Sequence, residues 1–87
     1  MAHFAHVVDG VVVSVHVVVN SVITDSDGVE EEALGQEFLA GLHGTALSEW
    51  VQCSYNGSIR GMYPGLGYGY NPLTDAFFIP RSFDVEV

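Results

Sequence analysis

Eighty-seven residues make one small domain and leave no room for a second. A composition that is 48% hydrophobic and 15% charged excludes a disordered segment and supplies more apolar surface than one small core absorbs. Two basic residues, Arg60 and Arg81, against eleven acidic ones give a formal net charge of -9, which excludes the usual electrostatic routes to nucleic acid and to anionic membranes.

A monomer of this size hides only about 60 to 65% of its unfolded surface, and Cys53, the one cysteine, has no intrachain disulfide partner. Self-association or a docking surface is therefore the expected source of further burial. The longest apolar stretch, Val11 to Val19, is interrupted by Ser14 and His16, and its nine residues are about half of what a membrane-crossing helix needs. Met1-Ala2-His3-Phe4 has no basic region and no separate cleavage site. The expectation is a soluble protein made in a cytoplasm, with Cys53 a buried free thiol.

The predicted fold class is α+β, mainly β: antiparallel hairpins and short strands with one amphipathic helix packed on the sheet. The first signal along the chain is Asp9-Gly10 between valine-rich runs, which predicts a two-residue hairpin turn because both positions tolerate positive φ. The implied register opposes Val8 with Val11, His6 with Val13, Phe4 with Val15 and His3 with His16. It places Phe4, His6, Val8, Val11, Val13, Val15, Val17 and Val19 on a core face, and His3, Ala5, Val7, Val12, Ser14, His16 and Val18 on a partly covered reverse face.

A short strand at Val22-Ile23 then leads into the turn formers Thr24 to Gly28. A helix is predicted from about Glu30 to Leu42, with Asp27 as its cap, Glu30 to Glu32 complementing its dipole and Gly44 ending it. Leu34, Phe38 and Leu42, with Leu39 beside them, form its expected buried face. Gly35 and Gly41 weaken its intrinsic propensity, so it depends on packing. Next come a strand from Glu49 to Tyr55, a turn at Asn56-Gly57 and a return strand from Ser58 to Tyr63, broken by Pro64-Gly65. Leu66 to Tyr70 alternates small with large residues, as a strand does where glycine admits a close neighbour. Beyond a turn from Asn71 to Asp75 lie a last strand, Ala76 to Ile79, and an extended tail from about Pro80 to Val87.

Motifs for chemistry are incomplete. A His3/His16 pair lacks the third and fourth ligands that zinc takes, and His43 at a helix end suits the dipole. Counted as a calcium loop, Asp25-Ser26-Asp27-Gly28 places Val29 at a ligand position and Gln36 at the twelfth. Gly65-x-Gly67-x-Gly69 opens no helix, so it is not a phosphate loop. Neither Cys53 nor Ser54 has an implied base. No catalytic, metal or cofactor-binding residue is assigned, and the chain is expected not to be an enzyme. The aromatic load of the second half points instead to contacts, with Tyr63, Tyr68, Tyr70, Phe77, Phe78 and Phe83 as the expected subunit or partner interface.

His3-Phe4-Ala5 with Asp9-Gly10 and the valine run to Asn20, Gly28-Val29-Glu30 with Glu32-Ala33-Leu34-Gly35 and Phe38, and Trp50 to Gly57 form a pattern that resembles small virion proteins of tailed, especially marine, bacteriophages. Arg60, Tyr63, Gly65-Leu66-Gly67-Tyr68, Tyr70 and Asp75 to Pro80 extend the resemblance over nearly the whole chain. Gly61-Met62 and the short ending Ile79-Pro80-Arg81-Ser82-Phe83 depart from it. The resemblance implies a virion structural protein. Short length and acidity favour a head decoration, or cement, protein on the capsid surface, bound to the major capsid protein and forming a homo-oligomer such as a trimer. A tail or fibre component is the alternative, and a small metal-binding or enzymatic protein stands behind both.

Overall fold

Asp9 and Gly10 take positive φ values of 53° and 79°, the geometry of a two-residue mirror-image turn, and they join strand β1 (Ala2–Val8) to β2 (Val11–Val18). A computed structural model of the chain describes residues 1–80. Next to the turn the pairing is as expected, Val8 with Val11 and Val7 with Val12. A bulge then intervenes between His6 and Val7, so that His6 opposes Ser14, Phe4 opposes His16 and His3 opposes Val17. The expected pairings of His6 with Val13, Phe4 with Val15 and His3 with His16 are each corrected by one residue.

One extra residue in a strand exchanges its faces. Beyond the bulge, His16 and Val18 join Phe4 and Ala2 on one side of the sheet, and Val15 and Val17 join Ala5 and His3 on the other. Core therefore forms on both sides. One cluster holds Ala2, Phe4, Val18, Ile23, Leu39, Ala40 and Trp50. The other holds Ala5, Val7, Val12, Val51, Cys53 and Phe77, with Val15, Met62, Tyr63, Tyr68 and Tyr70 packed against it. The single core face expected from the valine pattern does not form, and Val8, Val11, Val13, Val17 and Val19 are exposed.

Strands β3 (Trp50–Cys53), β4 (Gly69–Asn71) and β5 (Ala76–Phe78) complete a five-stranded antiparallel sheet in the order β3-β1-β2-β4-β5. The α+β, mainly β class is thus the observed one, with one main helix on the sheet. Val22-Ile23 is not a strand but the end of a single helical turn, α1 (Asn20–Ile23), which drives Ile23 into the core. Asp25 then closes the following loop, its Oδ1 accepting the N–H groups of Asp27 at 2.8 Å and Val29 at 2.9 Å.

Helix α2 (Glu32–His43) starts two residues later than expected, with Glu31 rather than Asp27 at its cap position and no side-chain cap. Gly44 ends it in the left-handed conformation, φ 70°, donating its N–H to the Ala40 carbonyl. The helix seats on Gly35, Leu39 and Ala40, not on Leu34, Phe38 and Leu42. The reason is Phe4: its Cζ lies where a Gly35 Cβ would come within 2.2 Å, so the ring fits only against the glycine. That rotation turns Phe38 and Leu42 outward, 46% and 66% exposed.

The Asn56-Gly57 turn forms, with Gly57 at φ 77°, but the return strand Ser58 to Tyr63 does not. Ser54 Oγ accepts the Ile59 N–H at 3.0 Å, and the chain turns again at Arg60, φ 58°, and Gly61, φ 85°. Leu66 to Tyr68 belongs to a second turn rather than to the strand that starts at Gly69, where the Phe78 ring fills the space a Cβ would need. The expected tail, Arg81 to Val87, lies outside the described residues.

Candidate interaction surface

The register shift decides what the histidines do. With His16 on the Phe4 side, His6, His16 and His43 surround the buried Trp50. His6 stacks on the indole at 4.3 Å and 12°, His16 meets it edge-on at 5.1 Å, and His43 lies 5.2 Å away. The indole N–H is satisfied by Thr45 Oγ1 at 2.7 Å. His6 Nε2 pairs with Glu49 at 2.8 Å and His16 Nε2 with Ser14 Oγ at 2.9 Å. Burial, followed by the neighbouring His43 and His6, holds the His16 pKa below its ordinary value. His3 instead packs edge-on to Tyr63 at 5.6 Å. Among the described residues, no group of three or more His, Cys, Asp or Glu is arranged to hold a metal ion, and no helix is long and apolar enough to cross a membrane.

A second polar centre gathers around Arg60. Its Nε donates to Asp75 Oδ1 at 2.7 Å, Nη1 to the Gln52 carbonyl at 2.8 Å and Nη2 to Glu32 Oε1 at 3.0 Å. Glu32 Oε2 accepts the Gln52 N–H at 2.8 Å, and the Tyr70 hydroxyl donates to Asp75. One guanidinium thus joins the start of α2, the outer strand β3 and the β4–β5 turn. Desolvation opposes its charge, yet hydrogen bonds to Asp75 and Glu32 outweigh it and raise its pKa. The Tyr70 hydrogen bond, with that of Arg60, lowers the pKa of Asp75. The geometry is that of a brace: Nε, Nη1 and Nη2 each donate to a different part of the chain itself.

Cys53 is buried. Desolvation pushes its thiol up to about 11, the opposite of what a nucleophile needs. Among the described residues, open clefts of about 390 Å³ and about 430 Å³ lie beside His3, Gln52 and Tyr55 and beside Val8, Glu49 and Tyr70.

The expected contact aromatics divide. Phe77 is 4% exposed and belongs to the core, so its side chain presents no surface to a partner. Tyr63, Tyr68 and Tyr70 are half-buried against the second core cluster. Phe78 is exposed at 45%, and Phe83 lies outside the described residues. Larger exposures occur where sequence reasoning placed core: Phe38 and Leu42 on α2, and Val17 and Val19 at 54% and 51% around the end of β2. The four-residue spacing of Leu34, Phe38 and Leu42 signals an apolar helix face, but only the glycine opposite Phe4 decides which face turns inward. No family model matches the chain, and neither curated proteins nor solved structures give a match.

Proposed function

We propose that the chain is a non-enzymatic structural protein of a phage virion, a head decoration or cement protein that docks where subunits of the major capsid protein meet. The observation that carries the reading is the exposed apolar surface. Isolated exposed side chains are ordinary in any protein. Phe38 and Leu42, one helical turn apart at 46% and 66% exposure, form a paired row of the kind that marks contact sites, and Phe78 and Ile79, at 45% and 48%, add exposed apolar side chains elsewhere. The resemblance of the sequence to small virion proteins supports the same reading.

The mechanism is linkage without bond-making. A protein that binds the assembled shell and not the free subunit stabilises that shell by about 2.7 kcal/mol per site at a hundredfold excess over Kd. The net charge of -9 suits a basic capsid surface, where complementarity raises the association rate. Copies grouped as a symmetric oligomer such as a trimer bury further apolar area at the capsid surface, after synthesis in the host cytoplasm.

The test is a reconstruction of the native particle and of undecorated heads mixed with purified protein. Expected are density at subunit junctions, raised heat resistance of the heads, and lower occupancy for a Phe38→Ser, Leu42→Ser double variant of unchanged fold. Density confined to the tail or fibre replaces the reading with a tail component, and absence from the particle rejects both.

A further inference from the structure

The histidines around Trp50 come from three elements: His6 from β1, His16 from β2 and His43 from the last turn of α2. Imidazoles are the side chains that ordinarily gain charge as pH falls from about 8 to 5, so acid brings three charges onto one buried indole. The three are not equally provided for. A charge on His6 meets the Glu49 carboxylate at 2.8 Å and the face of the stacked indole. A charge on His43 meets the carbonyl end of α2. His16 has the uncharged Ser14 hydroxyl, and its ring lies 5.1 Å from that of His43. Burial, then His43, then His6 all oppose a charge there.

Anchoring decides what gives way. His16 is fixed in the β1–β2 ladder opposite Phe4. The buried residues of α2 are Gly35, Leu39 and Ala40, and Gln36 Nε2 donates to the Trp50 carbonyl at 2.7 Å; all four precede the last turn. Beyond Ala40, the run Gly41 to Gly44 is exposed. This end is tied to β3 through Thr45, whose Oγ1 accepts the Trp50 indole N–H at 2.7 Å. The Gly44 and Thr45 N–H groups close the helix on the Ala40 carbonyl, at 2.8 Å and 3.1 Å.

Two unit charges at the 5.1 Å separation of the His16 and His43 rings, at an effective dielectric of about 20, disfavour the closed arrangement by a factor of about a hundred. Solvent screening of partly exposed groups brings that to roughly tenfold. We propose that His6, His16 and His43 form an acid-operated latch on Trp50: when all three are charged, the last turn of α2 moves off the sheet with Thr45 and admits water to the indole N–H, while the β1–β2 hairpin stays formed. The latch belongs to the fold itself and operates whatever surface the chain docks on.

The experiment is hydrogen exchange by NMR on the full-length protein at about pH 7.5 and 5.5, a window in which ordinary carboxylates stay ionised. Each rate is divided by that of an unfolded chain at the same pH. At the lower pH, protection of the Trp50 indole N–H and of the Gly44 and Thr45 amides falls about tenfold, whereas the amides of the β1–β2 ladder keep theirs. His16→Gln and His43→Gln each remove one charge of the close pair and retain the protection at pH 5.5. His43 is exposed, so His43→Gln leaves the core intact, and ladder protection equal to that of the unaltered protein at pH 7.5 verifies its fold. Undiminished protection of the indole N–H at pH 5.5 overturns the proposal, as does an equal loss in His43→Gln. A simultaneous loss throughout the β1–β2 ladder overturns it too, because acid would then be unfolding the whole domain.

Discussion

Two glycines of the same helix are expected to respond to alanine with opposite signs. In an ordinary helix interior, Gly→Ala stabilises by roughly 0.5 to 1 kcal/mol. At Gly41 nothing lies within 4 Å of the added Cβ, so that gain should appear. At Gly35 the Cβ falls 2.2 Å and 2.6 Å from two ring atoms of Phe4 and 3.0 Å from Ile23 Cγ2. Phe4 is fully buried, and Ile23 and Trp50 beside it are 1% and 0% exposed, so the ring has no free volume to enter. Overpacking of a filled core costs typically about 1 to 3 kcal/mol, and two overlaps this close belong at the upper end. Less the propensity gain, Gly35→Ala should destabilise by about 2 kcal/mol. In a domain of this length that is a fall in Tm of roughly 8 to 16 °C, against a rise of about 2 to 8 °C for Gly41→Ala. Thermal melts by circular dichroism measure both, and Phe4→Leu in the Gly35→Ala background should return part of the loss. If Gly35→Ala raises Tm as Gly41→Ala does, the seating of α2 on Phe4 is wrong.

Arg60→Gln removes the brace between Glu32, Gln52 and Asp75. With the Asp75 side chain 60% exposed, the loss should stay toward the lower end of about 1.5 to 3 kcal/mol, the range for hydrogen bonds to charged groups, read as a lower urea midpoint. Arg60→Lys should recover only part of it, because an ammonium lacks the planar fork; full recovery would show that charge alone matters. Cys53, with its thiol near 11, should resist a disulfide reagent at pH 8 in the native protein and react on unfolding; rapid native reaction would contradict its burial. His16 is held below the ordinary 6.5, so the folded state binds fewer protons than the unfolded one. Its stabilising share is complete above about pH 6.5 and declines as pH falls through the folded value. His16→Gln should therefore flatten the loss of Tm between neutral pH and pH 5, whereas an unchanged slope would place the sensitivity elsewhere.

The legible parts of the fold were those set by adjacent residues. Asp9-Gly10 specifies its turn through the φ angles it tolerates, and Gly44 ends a helix for the same reason. The β-bulge was not legible because valine stands at Val7, Val8, Val11, Val12, Val13 and Val15 around it, so the valine pattern fits either register. What selects the bulged one is long-range: it allows Val12 and Val18 to be buried on opposite faces. Likewise the loop after Gly57 departs from a hairpin because Arg60 finds Glu32 and Asp75, 28 and 15 residues away. Aromatic content alone does not say which rings the fold buries and which it exposes. Phe77 and Phe78 are neighbours of the same kind, and strand alternation alone sends one into the core and the other outward.

That alternation bears on why the chain exposes so much apolar surface. A sheet packed on one side concentrates its apolar residues in one layer, whereas this sheet divides them between two. α2 covers Ala2, Phe4, Val18 and Trp50, and the segment around Met62 to Tyr70 covers Ala5, Val7, Val12 and Cys53. α2 reaches Val18, but the second cover stops short of Val17 on the other side, and among the described residues the outward row of α2 meets no second layer. Exposure at Val17, Phe38 and Leu42 is then a consequence of having two small cores in place of one larger core, not of poor packing within either. The surface available to a partner lies for the same reason on β2 and α2, elements whose inward residues already hold the fold, so substitutions on their outward rows test association with little effect on folding.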